Sequence, residues 1–375
     1  MKLEDELTFP VGYHDFHDDK HLNYQLNRWY SLGYLKFEKT SEIGQQVTGL
    51  SDWKEVLESF GEQATLDGIL LEAAFYYRAA EFFTLPSAPD KDELYNRFIA
   101  RFYAAVQADN FKQVSIPYED TFLPALHFKP EEPLGVIVLH GGLDSFMEEY
   151  YSIAVYLKDA GYEVILFEGP GQGAALRKQN LYMTYQWEKP VGAVLDHFQI
   201  NDVTLIGISL GGFLAPRAAA FEPRISRVIA YDVYIYDHRG GFFQRLIYQL
   251  IKRAPSLYNR LMNSLMRRDD TANHIVNQWM FVCGVDTPYD WVIKLGHYSV
   301  AEIVKFVKQD VLLLAGKDDH LIPVEEYYKY LMGLTNAASV SGQIFTSDEQ
   351  AHNHCQIGNV KLALDFIIEW IESKS

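Results

Sequence analysis

A chain of 375 residues, 48% of them hydrophobic, can bury a sizeable core in one large domain with an addition or in two domains, and is too apolar to be disordered. Fifty acidic against 33 basic residues leave a formal charge of −17, which repels phosphate backbones and anionic lipid and argues against nucleic acid and membranes as partners. Its two cysteines, Cys283 and Cys355, lie far apart in sequence and offer neither a disulfide framework nor a CxxC metal pair.

The N-terminal stretch MKLEDELTFPVGYHDFHDD is acidic and lacks the basic region and apolar core of a signal peptide. No apolar run approaches the length of a membrane span, so a cytoplasmic chain is expected. LLEAAFYYRAAEFF reads as helix, and in DELYNRFIARFYAAV the residues Leu94, Phe98 and Phe102 recur at i, i+4 and i+8 on one stripe. TLPSAPDKD breaks the chain between them. A helical N-terminal region over residues 1–110 is therefore expected.

Near Phe111 the period changes. QVSIPYED and TFLPALHF predict two short strands around a turn, with Pro117 and Pro124 suited to edge positions. GVIVLHGG, YEVILFEG, VTLIGIS, RVIAYD and VLLLAG are continuous apolar runs, as in parallel strands covered on both faces by helices, and place an α/β domain over residues 111–375. After Asp232 the alternation stops. HRGGFFQRLIYQLIKRAPSLYNRLMNSLMRR reads as amphipathic helix interrupted at Pro255, which predicts a helical insertion over about 237–300. The closing GNVKLALDFIIEWIES carries Val360, Leu364, Ile367 and Ile371 on one face.

Within LIGISLGGFLAP the residues Gly207 to Gly211 form GxSxG, a pattern that roughly one chain of this length in ten carries by chance. Context raises it above chance: an apolar run precedes Ser209, an alanine-rich helix follows, and flanking glycines suit a sharp strand-to-helix turn. Pro216, in the second turn of that helix, weakens the match. His140-Gly141-Gly142 follows the strand GVIVL, where backbone N–H groups can approach a developing oxyanion. The donors are assigned to Leu210 and Gly142, with Leu143 as the neighbour that would replace Gly142. In the order serine, acid, histidine, the loop after VLLLAG offers Asp318 and Asp319. His320 adjoins that acid too closely to be oriented by it. QAHNHCQIGN then offers His352 and His354, and the residues alone leave both pairs open.

HGGLDS, FEGPGQG, GISLGG, GKDDHLIP and AHNHCQIGN resemble, in order, the motifs of serine hydrolases of the α/β-hydrolase superfamily. The likeness is to the group around 2,6-dihydroxypseudooxynicotine hydrolase, the fungal polyketide-shortening hydrolases and esterase-like relatives. Prolyl-oligopeptidase-type domains, including acylaminoacyl peptidases, are more distant. The resemblance implies an α/β-hydrolase fold: a mostly parallel central sheet flanked by helices, with an N-terminal helical cap and a helical insertion after the sixth strand. It assigns Ser209 as nucleophile, Asp319 as the acid of a GxxDxxxP pattern, and His354, which precedes Cys355, as the base. It implies no metal and no organic cofactor. The further acid that assists carbon–carbon cleavage in the nicotine-degrading member has no clear match, although Asp232 and Asp237 stand at the end of the sixth strand. The expected reaction is hydrolysis of an ester, an amide or an activated C–C bond through an acyl-enzyme. Peptidase action on short or N-acylated peptides, acyl transfer, and a binding module with an idle triad are the alternatives. The expected partners are a small acyl compound and at most a second copy in a homodimer. The aromatics of YYRAAEFF, with Phe242, Phe243 and Tyr248, exceed what the helices need to hide and predict an apolar pocket.

Overall fold

A helix that is apolar all round has no wet face, and LLEAAFYYRAAEFF obeys that rule in the computed structural model, which describes residues 8–106, 110–232 and 242–374. It belongs to the first of two compact units, made of Met1–Asn110 with Asp348–Ala351 and Ile357–Leu362. The unit's helices are α1 (Lys20–Ser31), α2 (Phe37–Gln46), α3 (Leu50–Leu66), α4 (Leu70–Phe83) and α5 (Lys91–Ala105). Asp19 caps α1 by accepting the N–H groups of His21 and Leu22. On α4, Phe75 stacks on Tyr34 with ring centroids 3.6 Å apart and meets Trp29 and Phe98 edgewise or tilted. Tyr76 and Tyr77 are equally buried. In the core Arg78 faces Glu81, whose carboxylate also takes Lys91 Nζ at 2.9 Å. Of the stretch of α4 expected to face a pocket, Tyr76 and Tyr77 are buried and Phe82 and Phe83 half-buried.

The second unit, Phe111–Ser347 with His352–Gln356 and Ala363–Ser375, is built on the apolar runs. In chain order it contains β1 (Lys112–Tyr118), β2 (Thr121–Phe128), β3 (Val136–His140), α6 (Tyr151–Asp159), β4 (Glu163–Phe167), α7 (Gly173–Arg177), α8 (Glu188–Phe198), β5 (Val203–Ile208), α9 (Gly211–Phe221) and β6 (Ile225–Tyr231). The helices α10 (Phe242–Arg253), α11 (Pro255–Met266), α12 (Asp270–Cys283), α13 (Pro288–Leu295) and α14 (Val300–Ile303) follow, then β7 (Asp310–Gly316), α15 (Glu325–Gly333), β8 (Ser339–Phe345) and α16 (Val360–Glu372). The eight strands lie in the order β1-β2-β4-β3-β5-β6-β7-β8; the pairs β1/β2 and β2/β4 are antiparallel and the rest parallel. Strands β4 and β5 are buried at every position, the reason their sequences show no alternation. Asp237 and the side chains of Phe242 and Phe243 lie outside the described residues. Among the described residues no helix is long and apolar enough to cross a membrane.

Three local expectations meet physical corrections. Pro124 sits on β2, an interior strand rather than an edge, but its carbonyl accepts Glu168 N–H at 2.9 Å beyond the end of β4. Its nitrogen faces the same way, so the missing N–H would have pointed past the end of β4 and the ladder with β1 loses no bond. Strand β8 escaped the sequence reading because SVSGQIF buries only Phe345 fully and lacks a continuous apolar run. Pro216 does not end α9. A proline there leaves the carbonyl of Gly212 without its helical donor, and the buried Tyr330 hydroxyl donates to that oxygen at 3.3 Å.

Removing that hydroxyl tests the compensation. Tyr330→Phe should strand a buried carbonyl and destabilise the fold by about 1–3 kcal/mol, read as a lower urea midpoint at unchanged slope. An unchanged midpoint would mean that Gly212 is satisfied otherwise.

Candidate active site

Between β5 and α9 the chain must reverse within one residue, and Ser209 does so in the left-handed region, at φ 61°. A non-glycine residue held there is strained by an amount of order 1–3 kcal/mol. The turn is fixed by Ser209 N–H, which donates to Tyr231 O at 2.8 Å. It closes only because Gly207 has no side chain: a Cβ there would lie 2.1 Å from the Gly211 carbonyl oxygen. The side chain of Ser209 is thereby lifted off the sheet at the N-terminus of α9.

Ser209 Oγ lies 2.8 Å from His354 Nε2, and His354 Nδ1 lies 2.6 Å from Asp319 Oδ2. The other carboxylate oxygen of Asp319 accepts the N–H groups of Leu321 at 2.7 Å and Ile322 at 3.0 Å. Burial alone would raise the Asp319 pKa, but the facing imidazole and these hydrogen bonds hold it at about 2. Burial likewise opposes charge on His354, yet Asp319 outweighs it and raises the imidazole well above its ordinary value. The loop that brings the histidine in sits directly on the end of β7: a Cβ at Gly316 would lie 2.4 Å from His352 O and 2.5 Å from Asn353 O. Asp318 and His352 are not in this chain of bonds. Asp318 gives its N–H to His352 O at 2.9 Å, and His352 Nε2 meets Asn353 Nδ2 at 3.2 Å.

The loop after β3 departs from its expected use. Gly142 N–H donates to Ser145 Oγ at 3.0 Å and is spent inside its own turn. What Gly142 supplies is closeness, since a Cβ on it would stand 2.5 Å from Leu210 N. Among the described residues, neither Leu210 N–H nor the next amide of the loop, Leu143 N–H, makes a backbone or side-chain hydrogen bond.

A family model described as the alpha/beta hydrolase fold matches residues 136–265. Among curated proteins, the hydrolyase poxO of Penicillium oxalicum is 30% identical over 73% of this chain and 69% of its own length. The alpha/beta hydrolase psoB of Aspergillus fumigatus is 26% identical over 92% of this chain and 84% of its own. The crystal structure of 2,6-dihydroxy-pseudo-oxynicotine hydrolase superposes with a TM-score of 0.67 at 18% identity, over 92% of this chain and 94% of that one. The chain belongs to the α/β-hydrolase family. It is a hydrolase, with an N-terminal helical region and a helical insertion after its sixth strand.

Two groups in this hydrolase were quoted in the sequence without a role. Gln172, fully buried, donates from Nε2 to Gly141 O at 2.8 Å and Gly142 O at 3.0 Å, while its Oε1 accepts Gly169 N–H at 2.9 Å. Glu168, beside it, accepts Met147 N–H at 3.0 Å and Ala174 N–H at 2.6 Å. Burial and the neighbouring Glu148 push its pKa up to about 8. Together they bracket the loop that carries Leu143. His140 completes the support: its Nδ1–H donates to Gly141 O at 2.8 Å, Trp187 Nε1 donates to its Nε2 at 3.1 Å, and burial holds the ring neutral, near pKa 4.

Asp232 is one of the two acids that follow the sixth strand; the other, Asp237, lies outside the described residues. Asp232 is buried, its Oδ2 accepts Cys355 N–H at 3.2 Å and stands 3.8 Å from His354 Nδ1. It also shares a hydrogen bond with Asp319. Asp232, Asp319 and His354 are the group among the described residues whose metal-ligating atoms converge, all within 4.8 Å. His354 Nδ1 is already committed to Asp319 at 2.6 Å, which leaves it no lone pair for a metal ion.

Gly142→Ala puts a Cβ 2.5 Å from Leu210 N and 2.8 Å from Ile208 O, so the loop must draw back from Leu210 N–H. It should lower kcat by about 10²–10³, the scale of one lost oxyanion donor, with an unaltered circular dichroism spectrum. Full turnover in that variant would remove Leu210 N–H from the reaction.

Proposed function

We propose that this hydrolase cleaves a small or medium-sized acyl compound through a covalent acyl-enzyme on Ser209. The observation that carries the reading is the unbroken run of hydrogen bonds from Ser209 through His354 to Asp319. Ser209 Oγ attacks the carbonyl carbon as its proton passes to His354 Nε2, and the carbonyl π electrons move onto the oxygen. The N–H groups of Leu210 and Leu143 take that oxyanion; Gly142 acts as the spacer that lets it in. As the tetrahedral adduct collapses, the scissile bond breaks and the imidazolium returns the proton to the leaving group. Water then repeats the sequence on the ester and frees the acid and Ser209. Asp319 holds the imidazole with Nε2 towards the serine and stabilises the imidazolium, while Asp232, held by Cys355 N–H, adds a second carboxyl group 3.8 Å from the same Nδ1.

Ester, amide and activated C–C substrates share this chemistry up to the leaving group. A relative from Gibberella moniliformis, 30% identical over 54% of this chain and 51% of its own length, is named 20-hydroxy-prefusarin hydrolase. That name, with the relatives already cited, supports an organic carbonyl compound of natural-product size over a peptide as substrate. No metal or organic cofactor enters these steps.

The base works only when neutral, so a pKa raised by Asp319 moves the loss of activity on acidification to higher pH. The acid limb of kcat/KM should lie above about 6.5, the ordinary histidine value, and Asp319→Asn should shift it downward while lowering kcat by up to about 10⁴. A pH profile unchanged by Asp319→Asn would detach the acid from the base. Within the two neighbouring pairs, Asp318→Asn and His352→Ala should cost tenfold or less, whereas His354→Ala should approach the loss of about 10⁶ in kcat typical of a missing triad member. Steady-state kinetics on p-nitrophenyl esters decide this, and the opposite ranking would reassign the base.

A further inference from the structure

Helices α10 and α11 contain none of the chain's acidic residues. From Phe242 to Arg268 the sequence carries Arg245, Lys252, Arg253, Arg260, Arg267 and Arg268 and no Asp or Glu, so the formal −17 of the whole chain is +6 here and −23 elsewhere. The segment is apolar on its outer face as well. Leu246, Ile247 and Leu250 on α10 are 47%, 57% and 55% exposed, and Leu257, Leu261 and Leu265, at i, i+4 and i+8 on α11, are 57%, 61% and 45% exposed. The opposite side of α11 is the one packed against its own unit: Tyr258, Met262 and Met266 are half-buried, and Asn259 Oδ1 accepts Tyr289 N–H of α13 at 2.8 Å. Lys252, Arg253, Arg260, Arg267 and Arg268 are exposed and make no ion pair among the described residues. Two leucine stripes rimmed by cations make a far larger apolar surface than scattered surface leucines do, and such patches mark interaction sites.

We infer that this face docks on a second copy of the chain, on the exposed face of its α15. The complementarity lies in the molecule itself. A basic, leucine-striped arm on a body of −23 is attracted to that body in another copy, whereas arm against arm would set +6 against +6. On α15, Tyr328, Leu331 and Met332 are 50%, 36% and 71% exposed, at i, i+3 and i+4. Leu321, 53% exposed, precedes them, and the exposed Glu325 stands on the same face one turn earlier. Its neighbour Glu326 is occupied by Lys329 at 2.5 Å, but Glu325 makes no ion pair among the described residues. Two such contacts related by a two-fold axis, each arm on the other copy's α15, close the assembly as a dimer rather than an open chain. An interface of standard size buries about 800 Å² per partner, and six exposed aliphatic side chains on each arm supply its apolar centre. The inference is independent of the chemistry proposed at Ser209, which involves none of these residues.

Sedimentation velocity on the full chain tests it, with ester hydrolysis and circular dichroism as checks that each variant is folded. The wild type should form a dimer at micromolar concentration that weakens as salt is raised. Leu261→Ser should raise the dimer Kd by roughly tenfold or more, and both Arg260→Glu/Arg267→Glu and Glu325→Lys should give monomers that keep ester activity. Mixing these two charge-reversed chains should restore a heterodimer, because each supplies the charge the other lost. A monomeric wild type at 100-fold higher concentration, a dimer indifferent to all four changes, or a failure of the mixture to associate would overturn the inference. So would a monomer that binds phosphatidylserine-containing vesicles through Arg260 and Arg267, since the arm would then face lipid.

Discussion

Everything at the site depends on one turn that an L-residue adopts only under constraint. Ser209 is held at positive φ because β5 and α9 are both fixed by the core, one buried along its whole length and the other packed on the sheet by Phe213, Leu214 and Ala218. The strain is local and the restoring force is the fold. Relaxing the turn would require either strand or helix to shift, and a side chain at Gly207 would force that shift. The same turn sets the direction of Leu210 N–H and brings Ser209 Oγ to 2.8 Å from His354, so the proposed nucleophile and oxyanion donor are two consequences of one backbone conformation.

The other partners reach the turn along separate routes, each closed by absent side chains. β7 ends in Gly316, which lets the histidine loop lie on it, and Asp319 follows three residues on. Gly142 lets the loop after β3 approach Leu210, and Gln172 with Glu168 holds that loop from β4. Four strand ends therefore deliver four chemical parts, and because neighbouring parallel strands all end on one side, the parts arrive at one place. Glu168 and Asp232 show the cost of such convergence: carboxyl groups are buried near others, and each is held by backbone N–H groups.

What the sequence made legible follows from which physical signal each part leaves. Strands β3 to β7 announce themselves because burial on both faces removes polar residues from them, whereas β8 lies at the sheet's edge and carries Ser339, Ser341 and Gln343 like any loop. Ser209 was legible from its glycines. The residues alone could not separate Asp319 from Asp318 or His354 from His352, since one position along a loop changes direction but not composition; the separation came from resemblance. Gln172 was hidden for a different reason: a glutamine that holds two carbonyls looks in sequence like any polar turn residue. Net charge hides local charge in the same way: a total of −17 coexists with α10 and α11 that are purely basic.

The central claim is that Ser209 is an activated nucleophile rather than a serine in a glycine-rich turn. The measurement that addresses it most directly is intact-mass and peptide mass spectrometry after brief exposure to a fluorophosphonate. The account predicts one adduct per chain, mapped to Ser209, formed rapidly in the wild type and far more slowly in His354→Ala although Ser209 is still present. An adduct on another residue, or labelling of Ser209 at an equal rate without His354, would contradict it.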